Sequence, residues 1–201
     1  MEMAVLASGN GSNFQAIIDA STRGELPNAN IKLLIVNKKD AYAIKRAKKH
    51  NIPYYLIESK NKERDEFDLE ILNILEKNKI DVVALAGFMR ILSPNFVKEY
   101  RNRIINIHPS LLPLFPGAHA HRDAIESGAI KSGCTVHFVD EGIDTGPIIL
   151  QESVSIDKED TEETLAMKIL PLEHKLFPKA IGLLTSQKIK INKGKVSIEA
   201  D

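Results

Sequence analysis

At 201 residues, with 43% hydrophobic and 27% charged side chains, the chain can bury a sizeable core without covalent staples. Lys plus Arg and Asp plus Glu both number 27, so the formal net charge is zero, which excludes a general attraction to nucleic acid or anionic membrane. One cysteine (Cys134), no signal-like apolar start and no run near the roughly 18 apolar residues of a membrane span lead us to expect a cytoplasmic protein.

In chain order, short apolar runs at Ala4–Ser8, Lys32–Val36, Tyr54–Ile57, Val82–Ala86 and Ile104–Ile107 predict strands. Helical patterns near Asn13–Ser21, Ala41–His50, Arg64–Asn78 and Pro94–Tyr100 separate them. Most of these strands are continuously apolar rather than alternating, as expected when both faces are covered. Repeated βα units of this kind predict an α/β fold with a doubly wound, mostly parallel, Rossmann-like sheet. Ser93-Pro94 supplies a capping hydroxyl and a preset φ at a helix start.

The second half starts irregularly, with Pro109, Pro113 and Pro116 in the stretch Asn106–Gly117. A short helix near Arg122–Ser127 and strands at Thr135–Val139 and Pro147–Ser155 follow, the strands joined by the loop Gly142–Pro147. Asp160 with Glu163 resembles a capping pair opening a long helical segment. Pro171 inside Thr164–Leu183 predicts that this helix restarts near the proline. Ile189–Ile191 and Val196–Ile198, separated by Asn192-Lys193-Gly194, predict a terminal hairpin. One unit over residues 1–201 is expected, with a phosphate-binding half at 1–100 and a catalytic half at 101–201.

The first strand candidate runs into Gly9-Asn10-Gly11-Ser12-Asn13 and then a helix. A strand, a glycine turn and a helix start aim backbone N–H groups and the positive helix end at one point, which makes an anion site. There is no third spaced glycine and no Gly-Lys-Ser/Thr, so a single phosphate is expected rather than a dinucleotide or nucleoside triphosphate. The bland alternative is a tight βα turn.

Asn106 and His108 alternate along the fifth strand, so they share a face at its carboxyl end. An amide donor beside an imidazole suits a reaction that develops an oxyanion. An acidic partner would raise the histidine pKa, and Asp144, in its glycine-flanked loop, is the candidate. Strand-end Asn and His are also common turn-capping and core residues; the Pro-rich loop that follows favours function.

Four blocks, Leu6-Ala7-Ser8-Gly9-Asn10-Gly11-Ser12-Asn13, Leu85-Ala86-Gly87-Phe88-Met89-Arg90-Ile91-Leu92, Asn106-Ile107-His108-Pro109-Ser110-Leu111-Leu112-Pro113 and Gly142-Ile143-Asp144-Thr145-Gly146-Pro147, carry a resemblance. The chain resembles the folate-dependent formyltransferases, and within them the phosphoribosylglycinamide formyltransferases, over nearly its whole length, weakening after about Leu184. The resemblance implies transfer of the formyl group of 10-formyltetrahydrofolate, a co-substrate, to the amine of glycinamide ribonucleotide in purine synthesis. It implies that Gly11, Ser12 and Asn13 hold the substrate phosphate and Glu173 its ribose. For the folate it implies Met89, Arg90, Ile91 and Leu92 along the border, Asn106 at the formyl end, and Val139, Asp140, Glu141, Gly142, Ile143 and Asp144 around the pterin. Arg64 and Arg90 resemble partners of the folate's glutamate carboxylates, which the arginine fork suits. In the implied mechanism Asn106 and protonated His108 stabilise a tetrahedral oxyanion while Asp144 keeps His108 charged. No metal, nucleic acid or membrane is expected, and the protein would act as a monomer or homodimer.

Other residues read more plainly. His119 and His121 share a metal-like spacing, yet no third ligand stands out, and substrate-mouth or exposed positions are expected. His137 and Cys134 read as buried strand residues, and Lys45-Arg46-Ala47-Lys48-Lys49 as a solvated helix face. Two further readings stand beside the transferase. A formyltetrahydrofolate deformylase shares Asn, His and Asp but carries an extra N-terminal domain, for which a loop starting at residue 9 leaves no room. A non-catalytic folate or nucleotide sensor on the same fold is the other.

Overall fold

Most of the apolar runs of the first half become buried strands, while Tyr54–Leu56, at the rim of the sheet, stays largely exposed. The computed structural model describes residues 1–199. In it β1 (Glu2–Ala7), β2 (Asn30–Val36), β3 (Tyr54–Leu56) and β4 (Val82–Leu85) alternate with α1 (Ser12–Thr22), α2 (Ala43–Lys49), α3 (Arg64–Lys77) and α4 (Pro94–Glu99), and β5 (Ile104–His108) follows. Next come α5 (Ala120–Glu126), β6 (Lys131–Phe138), β7 (Ile148–Ser155), α6 (Glu162–Thr185), β8 (Ile189–Asn192) and β9 (Lys195–Ile198). The larger sheet has the strand order β3-β2-β1-β4-β5-β6-β7. The chain divides into two units, Met1–Ile105 and Asn106–Asp201.

In the first unit β1 pairs in parallel with β2 on one side and β4 on the other, and β2 pairs in parallel with β3. Met3 to Ala7 are fully buried, which is why the strand carries no polar alternation. Strand order reverses at β1, and in open α/β sheets a crevice opens at such a point, beyond the carboxyl ends of the strands. The glycine loop leaves β1 there. Ser8 ties it to the segment after β4: its N–H donates to Gly87 O at 3.1 Å and its Oγ accepts Met89 N–H at 2.8 Å. Ser93 caps α4 as its sequence predicts, its Oγ accepting Phe96 N–H at 3.3 Å with Pro94 in the first turn.

In the second unit β6 pairs antiparallel with β7, and α6 packs on both. The expected restart of α6 at Pro171 does not occur; the helix is continuous over 24 residues with Pro171 and Pro178 inside it. Each interior proline costs about 3 kcal/mol, but burying each large apolar side chain returns about 1.5–3 kcal/mol. Leu165, Ile169, Leu176, Phe177 and Ile181 are all buried along one face. The cap also differs from Asp160 and Glu163. Thr161 caps the helix reciprocally with Thr164, whose hydroxyl also donates to Asp160 at 2.8 Å. Asp160 and Asp157 instead hold Lys168. β8 and β9 form the expected terminal hairpin, a two-stranded sheet of its own. No helix among the described residues is long and apolar enough to cross a membrane.

The rims of the large sheet are β3, three residues long, and β7, whose burial alternates between inward and outward positions. On β7, Glu152 binds Lys175 of α6 at 2.9 Å.

Candidate active site

The glycine loop shows why its residue types are needed. Gly11 sits at the N-cap of α1 with φ 73°, a left-handed conformation that favours glycine. A Cβ there would also lie 2.7 Å from Ala43 Cβ at the start of α2. Gly11 brings no side chain to cap the helix, and its carbonyl accepts Gln15 N–H at 2.9 Å. Ser12 is half-buried and Asn13 buried as the helix begins. The positive helix end and its first-turn N–H groups therefore emerge beside Gly11, which carries no side chain, an arrangement suited to a phosphate.

Of the residues expected at the folate, Met89 and Ile91 present apolar side chains to solvent at 66% and 54% exposure, while Leu92 is buried. Arg90 lies 4.6 Å over the Phe67 ring and donates to Ser59 O at 3.3 Å. Arg64 is exposed at the first position of α3. Beneath this segment Asp68 is buried, and its Oδ2 accepts Ser93 N–H at 2.5 Å, while Oδ1 has no hydrogen-bond partner. Burial pushes the Asp68 carboxyl above its ordinary pKa against the pull of the Ser93 groups and of Arg90 and Arg64.

In the second unit the structure joins the three polar residues singled out in sequence. Asp144 Oδ2 lies 3.4 Å from His108 Nδ1 and accepts Gly117 N–H at 2.8 Å. Its Oδ1 lies 3.6 Å from His137 Nε2, and Asn106 Nδ2 is 3.2 Å from that same nitrogen. His137 Nδ1 donates to Phe138 O at 2.8 Å, which orients the ring. His108 Nε2 donates to Phe115 O at 2.8 Å. Phe115 and Asp144 both take positive φ, at 53° and 54°, an uncommon state for residues with side chains that clusters at functional sites.

The electrostatics correct one expectation. Burial pulls His108 below its ordinary pKa; the Phe115 carbonyl and Asp144 pull the other way, His137 adds to the lowering, and burial wins. His108 is therefore mainly neutral at neutral pH, not raised into the charged form by its acid partner. Burial alone would raise Asp144, but the neighbouring His137 ring, the Gly117 N–H and the nearby His108 hold its carboxyl below the ordinary value. The site at rest is a carboxylate beside a neutral imidazole, able to accept one proton.

His137, read in the sequence as a buried strand residue, is buried at 2% exposure, and it stands between Asn106 and Asp144. Its only signal was a histidine on a strand that ends at the Asp144 loop. The loop carrying Phe115 and Gly117 is braced by Thr135, whose Oγ1 donates to Ser110 O at 2.6 Å and accepts from Leu112 N–H at 3.1 Å and Gln151 Nε2 at 2.8 Å. Asp140 Oδ1 ties the other loop, accepting Gly142 N–H at 3.1 Å and Thr145 Oγ1 at 2.6 Å; Val139 is half-buried, Glu141 and Ile143 exposed. Glu173 is buried in α6. His119 is exposed and His121 half-buried, its pKa lowered by burial. Cys134 is buried, and burial with the charges of Glu173 and Glu152 pushes its thiol up to about 12, so it is inert packing.

The pattern of the formyl transferase family matches residues 1–181. The chain is 42% identical over 193 residues to phosphoribosylglycinamide formyltransferase of Escherichia coli strain K12, covering 96% of this chain and 91% of that one. It is 50% identical over 188 residues to the trifunctional purine biosynthetic protein adenosine-3 of Drosophila pseudoobscura pseudoobscura, covering 92% of this chain but 14% of that one, so it spans a small part of the multifunctional relatives. Its fold superposes on the crystal structure of glycinamide ribonucleotide transformylase 1 from Symbiobacterium toebii with a TM-score of 0.95 at 40% identity, covering 98% of this chain and 93% of that one.

Proposed function

The chain belongs to the formyl transferase family, and from that premise we propose that it transfers the formyl group of 10-formyltetrahydrofolate to the amine of 5-phosphoribosylglycinamide. The products are the N-formyl ribonucleotide and tetrahydrofolate. The observation that carries the chemistry is the Asp144 carboxylate set 3.4 Å from Nδ1 of a buried His108.

Gly11, Ser12 and Asn13 hold the substrate phosphate with backbone and side-chain donors, and Glu173 serves the ribose. Met89, Ile91 and Leu92 border the folate, residues Val139 to Asp144 enclose the pterin, and Arg64 and Arg90 answer its glutamate carboxylates. As the amine attacks the formyl carbon, Asn106 donates to the oxygen that becomes an oxyanion. His108 starts neutral and takes up the proton that the attacking nitrogen sheds. Its Nε2–H is already committed to Phe115 O, so the second proton resides on Nδ1, where Asp144 stabilises it. The imidazolium then supports the oxyanion and returns its proton to the departing folate nitrogen. Each such donor contributes about 3 kcal/mol to lowering the barrier. On this reading the enzyme works in the cytoplasm, as a monomer or homodimer, on two small molecules.

Mass spectrometry of the protein mixed with both substrates tests the reading. Formylated ribonucleotide supports it. Loss of the folate formyl group without that product would make the protein a deformylase, and no turnover would make it a binding protein.

A further inference from the structure

The basic run on α2 was expected to be a solvated face, yet one of its members turns to the glycine loop. Arg46 is half-buried, with Nε donating to Asn10 O at 2.9 Å and Nη2 to Asn10 Oδ1 at 2.7 Å. Its Nη1 donates to Gln15 Oε1 at 3.3 Å on α1, and its guanidinium carbon lies 5.0 Å over the Tyr42 ring. Every nitrogen of the fork thus has an acceptor, and two of those acceptors belong to one loop residue.

We propose that Arg46 is a positioning residue for phosphate recognition, aiming the Gly11 N–H by gripping both the carbonyl and the side chain of Asn10. The inference rests on the reading of the Gly11–Asn13 turn as the phosphate site. A trans peptide points its C=O and N–H in opposite directions. Holding Asn10 O toward Arg46 therefore directs the Gly11 N–H the other way, off the α2 side of the loop. The remaining contacts fix the same turn: Ala43 N–H donates to Gly9 O at 3.2 Å, and Ala43 Cβ closes the space beside Gly11. Lysine could supply the charge but not the planar fork that holds two acceptors of one residue together. Arg46 works through the loop, because its donors face protein acceptors.

The test is steady-state kinetics of Arg46→Ala, Arg46→Lys, Asn10→Ala, the Arg46→Ala/Asn10→Ala double variant and Ser12→Ala, each first checked for native melting. Losing a charge-assisted hydrogen bond of this kind corresponds to about a tenfold rise in KM for the phosphorylated amine. Arg46→Ala and Asn10→Ala are each expected to give that rise with kcat and the folate KM within twofold of the parent. The double variant is expected to be no worse than the poorer single one, and Arg46→Lys to recover less than half of the loss. An unchanged ribonucleotide KM in Arg46→Ala, with a raised KM in Ser12→Ala, overturns the role of Arg46 and leaves the phosphate site standing. Unchanged KM in both overturns the site itself. Additive effects in the double variant, or full recovery by lysine, show that Arg46 acts by its charge and not through Asn10, which also overturns the proposal.

Discussion

One carboxylate oxygen, Asp144 Oδ2, faces both the Nδ1 of His108 at 3.4 Å and the N–H of Gly117 at 2.8 Å. The backbone bond is the shorter of the two, so the acid is anchored by the loop and held ready for the imidazole. Its carboxyl is held below the ordinary value, so it is ionised beside the neutral ring.

Replacing the carboxylate by an amide keeps the shape and an acceptor for Gly117 but removes the charge that stabilises a proton on His108. Asp144→Asn is expected to lower kcat by about 10²- to 10⁴-fold, the range of a lost acid–base contribution, with both KM values within a few-fold of the parent. Stopped-assay kinetics under saturating substrates checks this; a kcat within threefold of the parent removes Asp144 from the proton path.

The pH dependence follows from the same pair. On the proposed mechanism the neutral form of His108 is the active one, so kcat/KM should rise with pH and level off. Its inflection should lie below the ordinary histidine value of 6.5, because burial lowers the His108 pKa. Asp144, held below 3.8, is ionised throughout that window and adds no limb there. In Asp144→Asn a charge that raises His108 is gone, so the inflection should move lower still. Stability has the same sign: between the lowered folded value and 6.5 the unfolded chain binds more protons, so the fold loses stability as pH falls through that window. An inflection above 6.5 would contradict the assignment.

Asp68 presents the opposite case. Its folded pKa is raised, so above 3.8 the unfolded chain ionises first and stability declines as pH rises through the folded value. Asp68→Asn retains an acceptor for Ser93 N–H and should remove that decline. Asp68→Ala leaves the N–H buried without a partner and should cost about 1–3 kcal/mol in urea unfolding at pH 7. Equal effects of the two variants would show that the Ser93 bond contributes nothing.

Gly11→Ala places a side chain at a positive φ, which costs about 1–2 kcal/mol, and adds a contact with Ala43. Combining it with Ala43→Gly should restore only the part due to the contact. Full restoration, measured by urea unfolding, would mean that φ at residue 11 relaxes freely.

The central strands β1 and β4 were legible because burial on both faces writes an uninterrupted apolar run. Asn106 and His108 were legible because alternation along a strand is local. Their partner Asp144 could be named only as a candidate, since the approach that joins it to His108 is made by the whole fold. His137 is the buried strand histidine its sequence suggests, but its place beside Asn106 was not legible, because that partner is 31 residues away. Lys45, Lys48 and Lys49 are exposed, as a Lys/Arg run on a short helix normally is, and only Arg46 departs from that face, half-buried against Asn10 and Gln15, contacts that lie more than 30 residues away in sequence. The helix continuing through Pro171 shows tertiary burial outweighing a local breaker.

The rims of the large sheet bear on behaviour at high concentration. A strand of three residues offers few N–H and C=O groups to an intruding chain, and β7 carries a charged Glu152 on its half-buried side, already engaged with Lys175. Short edges and edge charges discourage strand-by-strand addition of neighbouring molecules. The long apolar strands that template misassembly when exposed are kept inside, so concentrated solutions of the folded protein should resist fibrillation, and fibrils should form only from chains that have first unfolded.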